Sequence, residues 1–506
     1  MDNFDRLCRL SSDEKWDEFV KNLDTKTSEK RIIAKLAEIL TKPEANLPPN
    51  VLFSILKCLA NTCVHFKHEA PEQIQNNSTK YLANHCHELY RELSMCSPVD
   101  EESLSNAFPY NGIAEWVIDY LDDHTTENGE EQIKIVRTGL RFLCNVSTTT
   151  DRGYKAFLSH QNLRIIIGQL LHWNDTNVLL LTCALIHNIL FNMTESSPPF
   201  EPLSTLEGLI RADTLKVSTA NDTIMLFLRQ TPDLLDTVYE YLSMEAKLYL
   251  TEIIYQNLKD VVYKQNNEGE SLPENTIIYL MNRFKKRSDL ILKTVDSYLN
   301  DMEPAEVTIL LDILGVLSSS DRRECHILQR DNSLLINAVF LLRAMHMAGK
   351  EENNYFTPVQ TLTDIVPNSS RDEDTASDSR EDIRNHPAFG FKAGLIRLIG
   401  NLVHKHRANQ NTLRDTEGIS VILDCCNIDG RNPLILQWCI FAIRNACEGM
   451  SKNQQIIANS EKIKFIDNDI LREMGVTLHE DETGNTVGIV ALPKEPEAEK
   501  SFNEWD

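Results

Sequence analysis

Two copies of one pattern decide the fold: FKAGLIRLIGNLVHKHRANQ at residues 391–410 and ILQWCIFAIRNACEGMSKNQ at residues 435–454. The copies lie 44 residues apart, and polar positions match as well as apolar ones, including Asn401 with Asn445. Amphipathicity alone would explain the apolar matches but not the polar ones. A fixed offset of this length is typical of a repeat of two or three helices that stacks on its neighbours.

The repeated asparagine can be followed towards the N-terminus. Asn145 and Asn188 lie 43 residues apart, and Asn61 lies 84 residues before Asn145, which is two periods of 42. Val316 falls where a further asparagine is expected and replaces it. We therefore predict an all-α fold, an α-solenoid of roughly 42–44-residue helical repeats.

Apolar spacing predicts individual helices, among them residues 51–65, 163–171 and 177–192. Between the repeats the composition changes, because residues 371–382 carry six acids and two bases. The predicted segments are N-terminal repeats over 1–195, central degenerate repeats over 196–349, a disordered acidic insertion over 350–386, C-terminal repeats over 387–478 and an acidic tail over 479–506. Within the last two segments, residues 476–492 are predicted to form a β-hairpin.

The charge excludes two classes of partner. A net charge of −24 and a pI near 5.1 argue against general nucleic-acid binding and against docking on anionic membranes. The longest apolar stretch, residues 178–191, is too short and too polar to span a bilayer, so no membrane insertion is expected. The N-terminus has no apolar signal region, which favours a cytoplasmic protein. Other proteins are the partners that remain.

No arrangement of residues predicts an enzyme. The sequence has no P-loop, GxGxxG, GxSxG, HExxH or kinase signature. Cys58, Cys63, His65 and His68 do not follow the spacing of a zinc finger or ribbon, and residues of these types on helices are usually packing residues. We therefore expect no catalytic residues, no cofactor and no metal site.

The repeated asparagines are the main candidate site: Asn61, Asn145, Asn188, Asn401 and Asn445. An amide there could stitch neighbouring repeats together, or it could bind the backbone of an extended ligand along a groove. One helical turn earlier lie three bases, Lys57, Arg141 and Arg397, which form a candidate basic groove. Such a groove would attract acidic or phosphorylated segments, although exposed bases are also ordinary surface residues.

The acidic insertion holds candidate phosphorylation sites. Ser370, Thr375 and Ser379 each have an acid three residues later, which suits an acidophilic kinase. The alternative is an unmodified solvated loop.

One family resembles this chain. The segments 389–402, 409–410, 418–433 and 440–448 resemble the C-terminal domain of the ataxin-10 family, with a specific match over about residues 387–475. The resemblance implies an armadillo-like α-solenoid without enzymatic activity. It also implies a cytoplasmic scaffold, perinuclear or at the centrosome or midbody, linked to neuron survival, neurite growth, cytokinesis and cilium biology. The long acidic insertion before Pro387 departs from the family pattern and puts any partner bound near it in doubt.

A nuclear-transport-type peptide receptor is the alternative. Such receptors place a tryptophan one turn before the groove asparagine. This chain has none there, which counts against the alternative; the residues at those positions are Lys57, Arg141, Ala184, Arg397 and Phe441. The sequence does not indicate an oligomeric state, so a homo-oligomer remains an open alternative.

Overall fold

The computed structural model describes residues 3–12, 14–23, 30–40, 47–65, 110–124, 129–149, 162–193, 200–263, 271–294, 302–319, 323–351, 354–359, 386–460, 476–480 and 487–491. Within these residues the chain is helical apart from one β-hairpin. The α-helices are α1 (Asn3–Ser12), α2 (Trp16–Asn22), α3 (Lys30–Leu40), α4 (Pro49–His65), α5 (Tyr110–Asp123), α6 (Glu130–Thr149), α7 (Leu163–Leu170), α8 (Thr176–Asn192), α9 (Pro202–Thr214), α10 (Ala220–Gln230), α11 (Leu234–Val238), α12 (Met244–Tyr263), α13 (Glu274–Arg287), α14 (Met302–Leu317), α15 (Arg323–Arg330), α16 (Asn332–Ala348), α17 (Phe391–Val403), α18 (Arg407–Asp415), α19 (Gly418–Asp424), α20 (Ile435–Cys447) and α21 (Ser451–Ala458). Two 3₁₀ helices cover Tyr239–Tyr241 and Ser288–Thr294.

The chain divides into two compact units, Met1–Tyr279 and Leu280–Asp506. In the first unit the longer helices stack in chain order, with α4 on α6, α6 on α8 and α8 on α10. In the second unit α14 packs on α17 and α17 packs on α20. Each unit is therefore an armadillo-like solenoid of stacked helical repeats, as the sequence period predicts, and the second unit also contains one β-hairpin.

Close packing of consecutive repeats is clearest between α17 and α20. Ile396 and Ile399 on α17 and Ala442 on α20 are fully buried. A Cβ atom added at Gly400 would lie 2.9 Å from a ring carbon of Phe441 and 3.1 Å from the Cα atom of Ala442. Contacts that short force neighbouring atoms to move, so Gly400 is the residue that lets the two helices approach each other.

Helix starts follow local capping rules. Asp175 precedes α8, and its Oδ1 atom accepts a hydrogen bond from the Val178 amide at 2.8 Å. Glu201 caps α9 in the same way, with Pro202 at the first helical position. Pro304 lies in the first turn of α14, where its missing N–H leaves no helical bond unmade.

Part of the predicted acidic insertion packs against the C-terminal repeats. Phe356 is only 3% exposed, and the Asp429 carboxylate accepts a hydrogen bond from the Val359 amide at 3.1 Å. The Arg431 guanidinium donates to the carbonyl oxygens of Asn354 and Thr357 at 2.6 and 2.9 Å. The prediction of a disordered insertion over residues 350–386 is therefore wrong for residues 354–359. Apolar periodicity missed them because they are held by a turn, residues 427–433, that is distant in sequence.

The β-hairpin predicted over residues 476–492 is confirmed. Strands β1 (Val476–Glu480) and β2 (Val487–Ala491) pair antiparallel, with Val476 opposite Ala491 and Glu480 opposite Val487. Within the part of the chain that the structure describes, none of the helices combines the length and the hydropathy that a membrane span requires.

Candidate functional site: the asparagine ladder and the face beside it

Side-chain amides of the repeated asparagines connect consecutive repeats. In four of the stacked helices the asparagine Nδ2 atom donates a hydrogen bond to a main-chain carbonyl of the preceding repeat. The acceptor is always the residue just before the asparagine position of that repeat. The bonds run from Asn145 to Ala60 at 2.9 Å, from Asn188 to Cys144 at 3.2 Å, from Asn401 to Gly315 at 3.5 Å and from Asn445 to Gly400 at 3.0 Å. We call these contacts the asparagine ladder.

The ladder includes the repeat in which Val316 stands at the asparagine position. Gly315 precedes Val316, so Asn401 still reaches the expected carbonyl, and its Nδ2 atom also donates to the Ser318 hydroxyl at 3.0 Å. A carbonyl oxygen has two lone pairs and can accept this bond while it keeps its own helical bond. Asn401 and Asn445 are 6% and 3% exposed. The other three asparagines, at positions 61, 145 and 188, are half-buried.

A second set of amides links the short helices α15, α18 and α21 to the same repeats. The Gln410 Nε2 atom donates to the carbonyl oxygens of Asn445 and Glu448 at 2.7 and 3.2 Å. Gln329 makes the equivalent bonds one repeat earlier, to the carbonyl oxygens of Asn401 and His404 at 3.4 and 3.1 Å. Together with the asparagine ladder, these bonds fix the register between repeats in the second unit.

Two further asparagines complete this second set. The Asn453 Nδ2 atom donates to Gln410 and Ala446 carbonyl oxygens at 3.2 and 2.7 Å. Asn409 donates to the equivalent carbonyl oxygens of the preceding repeat, those of Gln329 and Leu402, at 3.1 and 2.9 Å. Both copies of the repeat quoted from the sequence end in the same Asn-Gln pair, residues 409–410 and 453–454, to which the sequence alone assigns no role. The offset of 44 residues between the two pairs is the signal that could have identified them as contacts between repeats.

The three candidate bases have different environments. Lys57 on α4 and Arg141 on α6 are exposed, and these two helices pack against each other in the first unit. The Lys57 Nζ atom lies 5.9 Å from the centre of the Phe53 ring. Arg397 belongs to the second unit, where its guanidinium donates to the Gly315 carbonyl at 3.2 Å and lies 5.4 Å from the Trp438 ring. Arg397 is thus a packing residue, and only Lys57 and Arg141 share a face.

The face continues from Lys57 and Arg141 onto α8. Phe191 is 54% exposed, and its ring stacks with the half-buried His187 ring at 6.4 Å. Burial lowers the pKa of His187 to about 4, so this ring is neutral at physiological pH. We call the exposed surface formed by Lys57, Arg141, Ala184, His187, Phe191 and the neighbouring ladder asparagines the ladder face. It combines positive charge, exposed aromatic area and amides.

An ion pair fixes α6 against the start of α8 beside this face. The Arg137 Nε atom donates to the Asp175 Oδ1 atom at 3.0 Å, and a second nitrogen of the guanidinium contacts the other carboxylate oxygen. Burial raises the pKa of Asp175, but the hydrogen bonds from Arg137 and from the Val178 amide outweigh burial and leave the pKa below its usual value. The carboxylate therefore stays ionised and holds both helices.

Two further groups of sequence predictions concern phosphorylation sites and metal binding. Ser370, Thr375 and Ser379 lie outside the described residues. Among the residues that the structure describes, no cluster of three or more His, Cys, Asp or Glu side chains is arranged to hold a metal ion.

Comparison with known proteins finds similarity to one family. Residues 391–488 match the spinocerebellar ataxia type 10 protein domain. Ataxin-10 of Xenopus tropicalis is 38% identical over 251 residues, which are 49% of this chain and 48% of that protein. Ataxin-10 of Homo sapiens is 27% identical over 421 residues, which are 80% of this chain and 82% of that protein. A chain from a structural study of the interaction between cadherin and beta-catenin matches with a TM-score of 0.26 and 11% identity over 88% of this chain and 96% of that chain, which is too low to support an argument.

Proposed function

We propose that the chain, which is similar to ataxin-10 proteins, is a non-enzymatic armadillo-type scaffold that binds protein partners along the ladder face. One observation carries the proposal. In a protein of net charge −24, two exposed bases lie on adjacent helices beside a row of amides and an exposed phenylalanine. Amides suit the backbone of an extended segment, and an aromatic ring suits an apolar side chain.

The charge of the ladder face defines the class of partner. Lys57 and Arg141 favour segments that carry carboxylates or phosphates, because a phosphate oxygen or carboxylate can take a charge-assisted hydrogen bond from either base. The acidic remainder of the chain would repel such a segment and confine it to this face. The partners we propose are therefore acidic or phosphorylated stretches of other proteins.

The biological setting is proposed from the family alone. The resemblance supports a cytoplasmic scaffold with roles in neuron survival, neurite growth, cytokinesis and the cilium or centrosome. Each role would be carried out by the partners that the scaffold brings together, since the family has no catalytic residues to transfer to this chain.

The test is quantitative affinity capture from cell lysate with the full chain as bait. The variant Lys57→Glu/Arg141→Glu should lose a set of partners that carry acidic or phosphorylated segments, and phosphatase treatment of the lysate should remove the phosphorylated subset. Arg164→Glu is the matched control, because Arg164 is exposed on α7, outside the ladder helices. Thermal melts of all three proteins establish that they are equally folded. If the double variant and the control capture the same partners as the native chain, the ladder face is not the binding surface.

A further inference from the structure

The last ladder helix, α20, has an exposed apolar face. Leu436 and Ile440 lie one helical turn apart on this helix and are 37% and 59% exposed. Arg444, one turn further on, is also exposed. In the described part of the chain α20 packs mainly on α17, α18, α19 and α21, and these contacts leave the three side chains open to solvent. We call the surface formed by Leu436, Ile440 and Arg444 the end face.

The internal repeat shows that the end face is a stacking face. The equivalent positions on α17, 44 residues earlier, are Lys392, Ile396 and Gly400. Lys392 and Ile396 are 3% and 0% exposed, and Gly400 lies where α20 closely approaches α17. These positions recur at intervals of four residues, so they share one side of the helix. The end face of α20 is therefore the side on which a further repeat would stack.

A polar side chain of the last repeat supports the same assignment. Gln329 and Gln410, on α15 and α18, donate forward to the ladder helix that follows each of them, to carbonyl oxygens that include those of Asn401 and Asn445. The equivalent residue on α21 is Gln454. Its side chain is exposed, and its Nε2 atom donates to a carbonyl oxygen of the preceding helix α20 at 2.9 Å. The last repeat thus carries the groups that earlier repeats use for stacking.

One segment of the chain has the composition to cover the end face. The end of a helical-repeat array needs a polar covering, because a bare stacking face is an apolar patch in contact with water. Residues 492–506, LPKEPEAEKSFNEWD, combine two aromatic residues, Phe502 and Trp505, with five acids. Aromatic rings suit the two apolar side chains of the end face, and the acids beside them suit its guanidinium. Charge and apolar character are therefore both complementary.

The length of the segment is sufficient. Residues 492–506 follow β2 directly and belong to the same compact unit as α20. Fifteen residues extend to about 50 Å, whereas a compact unit of the size of Leu280–Asp506 has a radius of gyration of about 17 Å. We propose that residues 492–506 bind the end face of their own chain and cap its last repeat, with Phe502 and Trp505 on the apolar side chains. This inference does not depend on the proposed function of the ladder face.

Photo-crosslinking from the end face tests the proposal in the full chain. Ile440 is replaced by p-benzoylphenylalanine, and the matched control carries the same group at Ile165, which is 55% exposed in the first unit. We expect light to join residue 440, but not residue 165, to a peptide from residues 492–506. Phe502→Ala/Trp505→Ala should abolish this crosslink. A mixture of unlabelled and ¹⁵N-labelled chains distinguishes a crosslink within one chain, which contains one isotope only, from a crosslink between two copies.

Limited trypsin digestion provides a second measurement. Lys494 and Lys500 are the cleavage sites within the segment, and cleavage follows the population in which the segment is released. Ile440→Asp should accelerate cleavage at both sites about tenfold, the factor expected when one large apolar side chain loses its burial. Ile165→Asp is the control and should leave the rate unchanged. Both isoleucines are exposed, so neither substitution should prevent folding, and thermal melts establish this.

Four results would overturn the proposal. Residue 440 crosslinks to a second copy, it crosslinks to other residues of its own chain, it forms no crosslink, or Ile440→Asp leaves the cleavage of the segment at the native rate. A crosslink to a second copy would assign the end face to self-association instead.

Discussion

Asn445→Ala is the most informative single change in the asparagine ladder. Asn445 is 3% exposed, and its amide donates to the Gly400 carbonyl at 3.0 Å. The substitution removes this bond while Gly400 keeps its helical bond, so we expect a loss of about 1–2 kcal/mol in the free energy of unfolding. In a unit of this size that loss corresponds to about 2–8 °C in melting temperature.

The assay should report on the second unit alone, because the chain divides into two compact units. Thermal melts by far-UV circular dichroism give the overall change, and hydrogen-exchange mass spectrometry follows the peptides of α17 and α20. Asn332→Ala is the control, since Asn332 is an exposed asparagine in the same unit, and it should change stability by less than about 0.5 kcal/mol. A stabilising role of the Asn445 amide is excluded if Asn445→Ala is no more destabilising than Asn332→Ala, or if faster exchange is absent from both α17 and α20.

Three further changes test the packing and the charges. Gly400→Ala should cost about 1–3 kcal/mol in the free energy of chemical unfolding, because its Cβ atom would lie 2.9 Å from an aromatic ring carbon on α20. Removing one partner of the buried Arg283–Glu306 pair, which is 5% and 0% exposed, should cost about 3–5 kcal/mol, while a double substitution to Met and Leu should recover most of that in the same assay. At Asp175 and Asp331 burial raises the carboxyl pKa, but hydrogen bonds to each carboxylate outweigh burial and leave both pKa values below the usual one. The stabilisation of the fold by these two carboxylates is therefore complete above about pH 4 and is lost as the pH falls through the lowered pKa values. Melting temperatures from neutral pH down to about pH 2 measure that loss; unchanged melting across this range would contradict it.

The sequence predicts the helical repeats because their signal is local and periodic. Apolar spacing predicts helices at residues 51–65, 163–171 and 177–192, and the structure has α4 at Pro49–His65, α7 at Leu163–Leu170 and α8 at Thr176–Asn192. Apolar spacing and capping residues fix these elements within one or two positions. The register of the repeats was also readable, because Asn401 and Asn445 mark the same position in consecutive units.

Long-range contacts explain what the sequence did not predict. The position of Arg397 in the repeat predicts an exposed base, but its guanidinium packs on Trp438, which is 41 residues later in the chain. The composition around residues 354–359 predicts a polar insertion. Their packing could not be predicted, because the turn that holds them begins about 70 residues later, at Asn427. Gln329 has no adjacent asparagine to reveal it as a partner of Gln410. In each case the decisive contact joins residues that no local pattern connects.

Partner binding by the ladder face can be measured as a hydrogen-exchange footprint of the full chain with and without an acidic or phosphorylated partner recovered by affinity capture. We expect the partner to slow exchange in α4, α6 and α8, where Lys57, Arg141 and Phe191 lie, and Lys57→Glu/Arg141→Glu to abolish this protection. Protection that falls only on other helices, or that persists in the double variant, would contradict the claim that the ladder face binds the partner.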